Sequence, residues 1–301
     1  MERRYPDRGR TGGLIVKLDP FVVSVVLLSA LMHASWNAVI KSDRDRLISF
    51  ALIQATGMTL GLAVVNFSGL PGPDAWFYLV LSGAIHYAYY YMLLAAYAHG
   101  DLSHVYPIAR GLGPMLVGLF SGLIFGEHLS FVELCGIALV SAGVGGLALA
   151  RGMPRGADGR ATGFAILTGV TIAAYTIVDG LGVRASGNAL AYIGWLNVVE
   201  GPGVVVIMFM RRPLPAIVAH MRTDWWRGSL GGTIAAVGYG ISIWAMGQGG
   251  IAHVAALRET SVLFAAIIGT VLLHERFGFW RVAAAATVVA GLLLMHLPIG
   301  R

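Results

Sequence analysis

Apolar runs of about twenty residues recur along this chain from Phe21 to Leu297, and each is long enough to cross roughly 30 Å of hydrocarbon as a helix. A backbone in lipid has no water to bond, so such runs form helices or the strands of a closed barrel. Barrel strands are excluded by pattern, since no ten-residue segment alternates polar and apolar residues. Charge agrees with helices in lipid: of 301 residues, 57% are hydrophobic and only 12% charged, about half the charged share of a soluble domain. The sequence predicts an all-α polytopic membrane protein.

Gly, Pro and charge clusters such as "KSDRDR" (41–46), "SGLPGPD" (68–74) and "RGMPRGADGR" (151–160) break the runs. They leave ten transmembrane spans: 20–40, 47–67, 75–98, 104–126, 130–150, 161–182, 188–210, 226–246, 252–274 and 279–297. Residues 1–19 read as a basic N-terminal tail, and the first run as an anchor. Cys135 is the one cysteine, which excludes an intrachain disulfide and suggests a packing role. The net charge of +6 lies in the tail and loops, where it suits anionic lipid headgroups better than nucleic acid. Membrane lipid and a small-molecule solute are the expected partners, in a cell membrane.

The halves 20–150 and 160–298 look alike. "HVYPIARGLGPMLVGLFSGLIFGEHLSF" (104–131) lies over "HVAALRETSVLFAAIIGTVLLHERFGF" (253–279), so that Arg110 meets Arg258 and Glu127 meets Glu275. The Arg-to-Glu spacing is 17 residues in both. Tyr90 meets Tyr239, and Trp36 meets Tyr175. Five spans per copy is an odd number, so the expected fold is two inverted five-helix repeats. A site between such repeats near the midplane is the architecture of secondary transporters.

"HASWNAVIK", "GDLSHVYPIARG", "GEHLS" and "LRETSVLFAAIIGTVLLHERFG" resemble the EamA family of the drug/metabolite transporter superfamily. The resemblance covers nearly the whole chain after residue 20. It implies a central cavity walled by the first, third and fourth helices of each repeat, with alternating access. It also implies a peripheral fifth helix, open to a homodimer contact, and both termini in the cytoplasm. The charge rule points the other way on that last feature: the odd-numbered loops hold twelve Lys and Arg residues against Arg184 alone in the even ones.

Polar groups inside the spans must find partners, because an unpaired one costs a few kcal/mol. Arg110 and Arg258 stand one to two turns inside the fourth and ninth spans, beside Glu259, with Glu200 inside the seventh. Two roles fit these charges: mutual neutralisation, or Arg258 and Arg110 meeting an anionic solute. His33, Trp36 and Asn37 give the first span a polar face, and His86 and Tyr90 share a face of the third. With Tyr175 and Tyr239 they offer rings with polar tips, suited to an amphiphilic solute. Cavity residues are therefore expected among His33, Trp36, Asn37, His86, Tyr90, Arg110, Tyr175, Tyr239, Arg258 and Glu259. Glu200 is the candidate for proton coupling. The nine histidines form no metal-ligand pattern, and neither a phosphate loop nor a nucleophile motif is present. No cofactor, metal or enzymatic step is expected, and an intramembrane enzyme or a membrane scaffold is the alternative. The expected cargo is a small organic anion or zwitterion, such as an amino acid or a phosphorylated or phosphonate metabolite.

Overall fold

Helices alone make up the regular structure of the residues described in the computed structural model, namely 18–41, 43–99, 102–127, 129–147, 159–271 and 279–296. Glu275 lies outside them, as does the tail up to residue 17. The first half holds α1 (Pro20–Lys41), α2 (Arg46–Ser68), α3 (Ala75–His99), α4 (Leu102–Phe125) and α5 (Phe131–Gly146). The second holds α6 (Gly159–Ala185), α7 (Ala189–Arg211), α8 (Leu214–Gln248), α9 (Ile251–Arg258), α10 (Ser261–Val271) and α11 (Phe279–His296). Eight spans are long and apolar enough to cross a membrane, and α5 and α11 are shorter apolar helices. With α9 and α10 as two parts of one span, the expected ten are accounted for.

Two spans differ from the sequence reading. The eighth starts at Leu214, not at 226. Pro213 and Pro215 fall at the helix start, where a missing N–H costs nothing, and the residues after them are competent helix formers. The ninth, expected as one helix, breaks after Arg258, and the N–H groups of Glu259 and Thr260 turn back on Ala256 and Leu257.

Local signals set several ends. Ser130 and Glu133 form a capping box: the Ser130 N–H donates to Glu133 Oε2 at 2.7 Å and the Glu133 N–H to Ser130 Oγ at 3.2 Å. Asp45 caps α2 by accepting from the Leu47 and Ile48 N–H groups and takes a second load from Arg212, whose Nε donates to Oδ2 at 2.6 Å. Partial burial works against its charge, yet the Arg212 guanidinium and the capped N–H groups hold the Asp45 carboxyl below the usual carboxylate range. A carboxyl depressed in the folded state stabilises fully above its unfolded value, near pH ~4, and loses that contribution as pH falls through the folded value. Asp45→Asn, which removes the charge but keeps a capping oxygen, is therefore expected to lower the melting temperature at pH 7. Its gap to the parent should close as both are acidified, in thermal unfolding followed from pH 7 to pH 3.

Exchanging the halves maps several of the main helix pairs onto one another. α2 packs on α7 and α5 on α11, each pairing a helix with its counterpart. α3 lies on α6 as α1 lies on α8, and α4 lies on α6 as α1 lies on α9 and α10. Within the fifth-span pair, a Cβ on Gly136 would fall 2.7 Å from the Gly291 carbonyl oxygen, and one on Gly143 3.0 Å from that of Ala284. These glycines let α5 and α11 meet backbone to backbone.

The even-numbered loops are tied together. Arg184 donates to the carbonyl oxygens of Met246 (3.1 Å) and Gly249 (2.6 Å) and to Glu127 Oε1 (2.7 Å), which also accepts from the Ile251 N–H. His253 Nε2 lies 3.1 Å from Glu133. Asn188 donates to the Ser68 carbonyl oxygen, and the Gly72 N–H to that of Ser186. The largest apolar core, with Val26, Leu79, Tyr192, Leu196, Ile243 and Met246 fully buried, lies toward this same end.

Candidate functional site

The polar face of "HASWN" opens on a cavity of about 110 Å³, room for several waters or a small solute. Ser29, His33 and Trp36 line it from α1, at the i, i+4, i+7 spacing that keeps them on one face. Phe50, Gln54 and Gly57 do the same from α2. They belong to the first half of a helix that starts at an odd loop, so the cavity reaches from mid-membrane toward the odd-loop end. α3 adds His86, Tyr89 and Tyr90, and α6 adds Tyr175. α7 adds Asn197 and Glu200, α8 adds Tyr239, and α9 ends in it with Arg258. Gly57, Gly232, Ala235 and Ala236 keep the space open by their small size.

Of the residues expected from sequence, His33, Trp36, His86, Tyr90, Tyr175, Tyr239, Arg258 and the coupling candidate Glu200 meet here. Asn37, Arg110 and Glu259 do not line the space. Asn37 turns its amide back on the His33 carbonyl oxygen at 2.7 Å. Arg110 and Glu259 are held by each other at 2.8 Å, both buried. Of the two roles, neutralisation is seen for Arg110 alone. Arg110 is neutralised, while Arg258 has no carboxylate at ion-pair distance among the described residues and rests its guanidinium 5.0 Å over the Tyr239 ring. It is only 8% exposed. Its position at the C-terminal end of a half-helix also suits a cation.

Sequence reasoning passed over Asp179, which is fully buried on α6. It accepts from the Tyr192 hydroxyl at 3.0 Å and the Tyr239 hydroxyl at 2.5 Å. The signal was present, since an acid deep in the sixth span is functional by default. Gln54 was missed as well; its amide donates to the Tyr90 hydroxyl at 2.6 Å, and that hydroxyl points to Glu200 Oε2 at 3.4 Å.

His86, Asp179 and Glu200 bring their ligand atoms within 4.8 Å of one another, a grouping that could hold a cation. His86 Nδ1 is 2.9 Å from the Ser82 carbonyl oxygen and 3.2 Å from Glu200 Oε1. A carbonyl only accepts, so that nitrogen carries a proton. The imidazole stacks on Tyr175 with ring centroids 4.1 Å apart. The cavity is bipolar: Glu200 lines its acidic end and Arg258 its basic end, while Asp179 stands behind the wall, bonded to the lining Tyr239.

Outside the cavity, His104 bonds Thr162 on the neighbouring helix, and Cys135 does not line the space.

A family model, the EamA-like transporter family, matches the chain twice, over residues 20–149 and 160–297. A WAT1-related chloroplastic protein of Arabidopsis thaliana is 24% identical over 264 residues, 84% of this chain and 62% of that protein. The chain thus spans less than two thirds of that relative's length. A solved crystal structure superposes with a TM-score of 0.73 at 16% identity, covering 92% of this chain and 95% of the other, which shows the shared fold.

Proposed function

The chain belongs to the EamA-like transporter family, and from that premise we propose that this membrane transporter carries a small amphiphilic organic anion or zwitterion through the bipolar cavity. The observation that carries the reading is Arg258, buried at a break in a membrane helix with no acid among the described residues at ion-pair distance. Half-helix ends at mid-membrane are where secondary transporters place their substrates. A guanidinium there meets a carboxylate, phosphate or phosphonate through two bonds. Glu200, with Tyr89, Tyr90 and Tyr175 in the same cavity wall and Asp179 close behind it, suits an ammonium group at the other end of the same solute. A zwitterion such as an amino acid satisfies both poles at once.

On this reading the two halves are inverted repeats that rock about the cavity. The ties around Arg184 close the even-loop side, so the arrangement described is the state facing the odd loops. Lys and Arg counts support a cytoplasmic placement for those loops, against the orientation that the family resemblance implies. The protein is a carrier without an enzymatic step. A thermal-shift screen of purified protein against amino acids, organic phosphates, phosphonates and organic cations tests the cargo. The reading expects the strongest stabilisation from the first three classes and fails on a clear preference for cations.

Proton exchange is assigned to Glu200, which stands in the cavity wall with His86 and Tyr90 as its polar neighbours. Glu200→Gln keeps the shape and removes the titration. Uptake into vesicles carrying an imposed pH gradient should lose its dependence on that gradient. Dependence retained in the variant would remove Glu200 from the role.

A further inference from the structure

A surface well away from the cavity carries a separate inference. α8 has 35 residues, roughly 50 Å at 1.5 Å per residue, far more than the hydrocarbon thickness. Its first third runs beside the start of α2: His220 lies 3.4 Å from Ser49, and further along Gly228 faces Leu52, Gly231 faces Ile53, and Gly232 faces Ile53 and Thr56. It lies level with the capping loop, where Asp43 is 3.7 Å from His220.

The faces of this segment are sorted by chemistry. Ile217 and His220 turn toward the protein. Leu214, Val218, Met221 and Trp225 are exposed at spacings of one helical stripe. Thr223 and Arg227 fall on the opposite flank, with the Arg227 guanidinium 5.4 Å over the Trp226 ring. Acids near this end are already engaged: Asp45 with Arg212, Asp43 with His220, Asp224 with Arg227. Arg44, Arg46, Arg211 and Arg222 stand exposed beside them.

We propose that residues 214–227 lie flat at the odd-loop membrane interface and dock an anionic phospholipid surface. The stripe from Leu214 to Trp225 sits among the upper acyl chains, and the four arginines face headgroup phosphates. A helix with one apolar flank and a basic surround adopts this placement, and anionic lipid is the surface that basic clusters beside a membrane select. The inference does not depend on what the cavity carries.

Spin labels placed one at a time at 214–227, in a Cys135→Ala background in lipid nanodiscs, test the placement. Collisions with oxygen should peak at 214, 218, 221 and 225 at one common depth, and collisions with a water-soluble nickel chelate at 216, 223 and 227. A depth that grows steadily from 214 to 227 would show a crossing helix and overturn the proposal. Replacing phosphatidylcholine by phosphatidylglycerol should raise the melting temperature of the parent protein by several degrees. The gain should be largely lost in the Arg211→Gln, Arg222→Gln double variant. No gain in the parent, or an equal gain in both, would overturn the anionic-lipid docking.

Discussion

Truncating Arg110 to alanine is expected to cost about 3–5 kcal/mol of folding stability, the range for breaking one side of a buried ion pair. Glu259 is 3% exposed and its carboxylate has Arg110 at 2.8 Å. Without that guanidinium it is left charged in a low-dielectric interior, or must take up a proton. Glu259 also sits at the break between α9 and α10, so the loss should loosen the half-helix end that presents Arg258. Thermal unfolding in detergent or nanodiscs reads the effect directly. The double change Arg110→Leu, Glu259→Leu should recover much of the loss, because removing both charges leaves no orphan. An Arg110→Ala protein as stable as its parent would show that the pair is not what holds the break.

Arg258→Ala is expected to behave in the opposite way. It leaves no acid without an ion-pair partner, so the protein should fold and melt near its normal temperature. Binding of a carboxylate- or phosphate-bearing solute should weaken by about 2–5 kcal/mol, as for a desolvated charge contact. Isothermal titration with the best solute from the thermal-shift screen, on both proteins, checks it. Undiminished affinity in a folded Arg258→Ala protein would remove the anion subsite. The contrast between these two arginines separates their roles although their sequence surroundings match.

That contrast shows where the sequence was legible. Ten crossings could be read because hydrocarbon thickness imposes a length that every span repeats. The charged residues inside them could be read because each is costly there. Which arginine would be neutralised could not, since Arg110 and Glu259 lie 149 residues apart and meet only through packing. Breaker rules also failed on the ninth span. Nothing at Glu259–Thr260 is a helix breaker by composition, while α4 runs through Pro107 and Pro114 without interruption. The ion pair and the turned-back N–H groups decide the break. Asp179 was missed for a different reason: repeat matching favours residues with counterparts, and the acidic pole exists on one side only. The start of α8 was missed because a basic, Trp-containing segment reads as a loop, although it continues the eighth span as one helix packed beside the start of α2.

Solute counterflow tests the transport claim most directly. Proteoliposomes preloaded with an unlabelled amino acid or organic phosphate selected by the thermal-shift screen are diluted into a trace of the labelled compound. The account predicts transient accumulation of label inside, absent from protein-free liposomes and from vesicles holding folded Arg258→Ala. Accumulation no greater than in protein-free liposomes, or equal accumulation with Arg258→Ala, would contradict it.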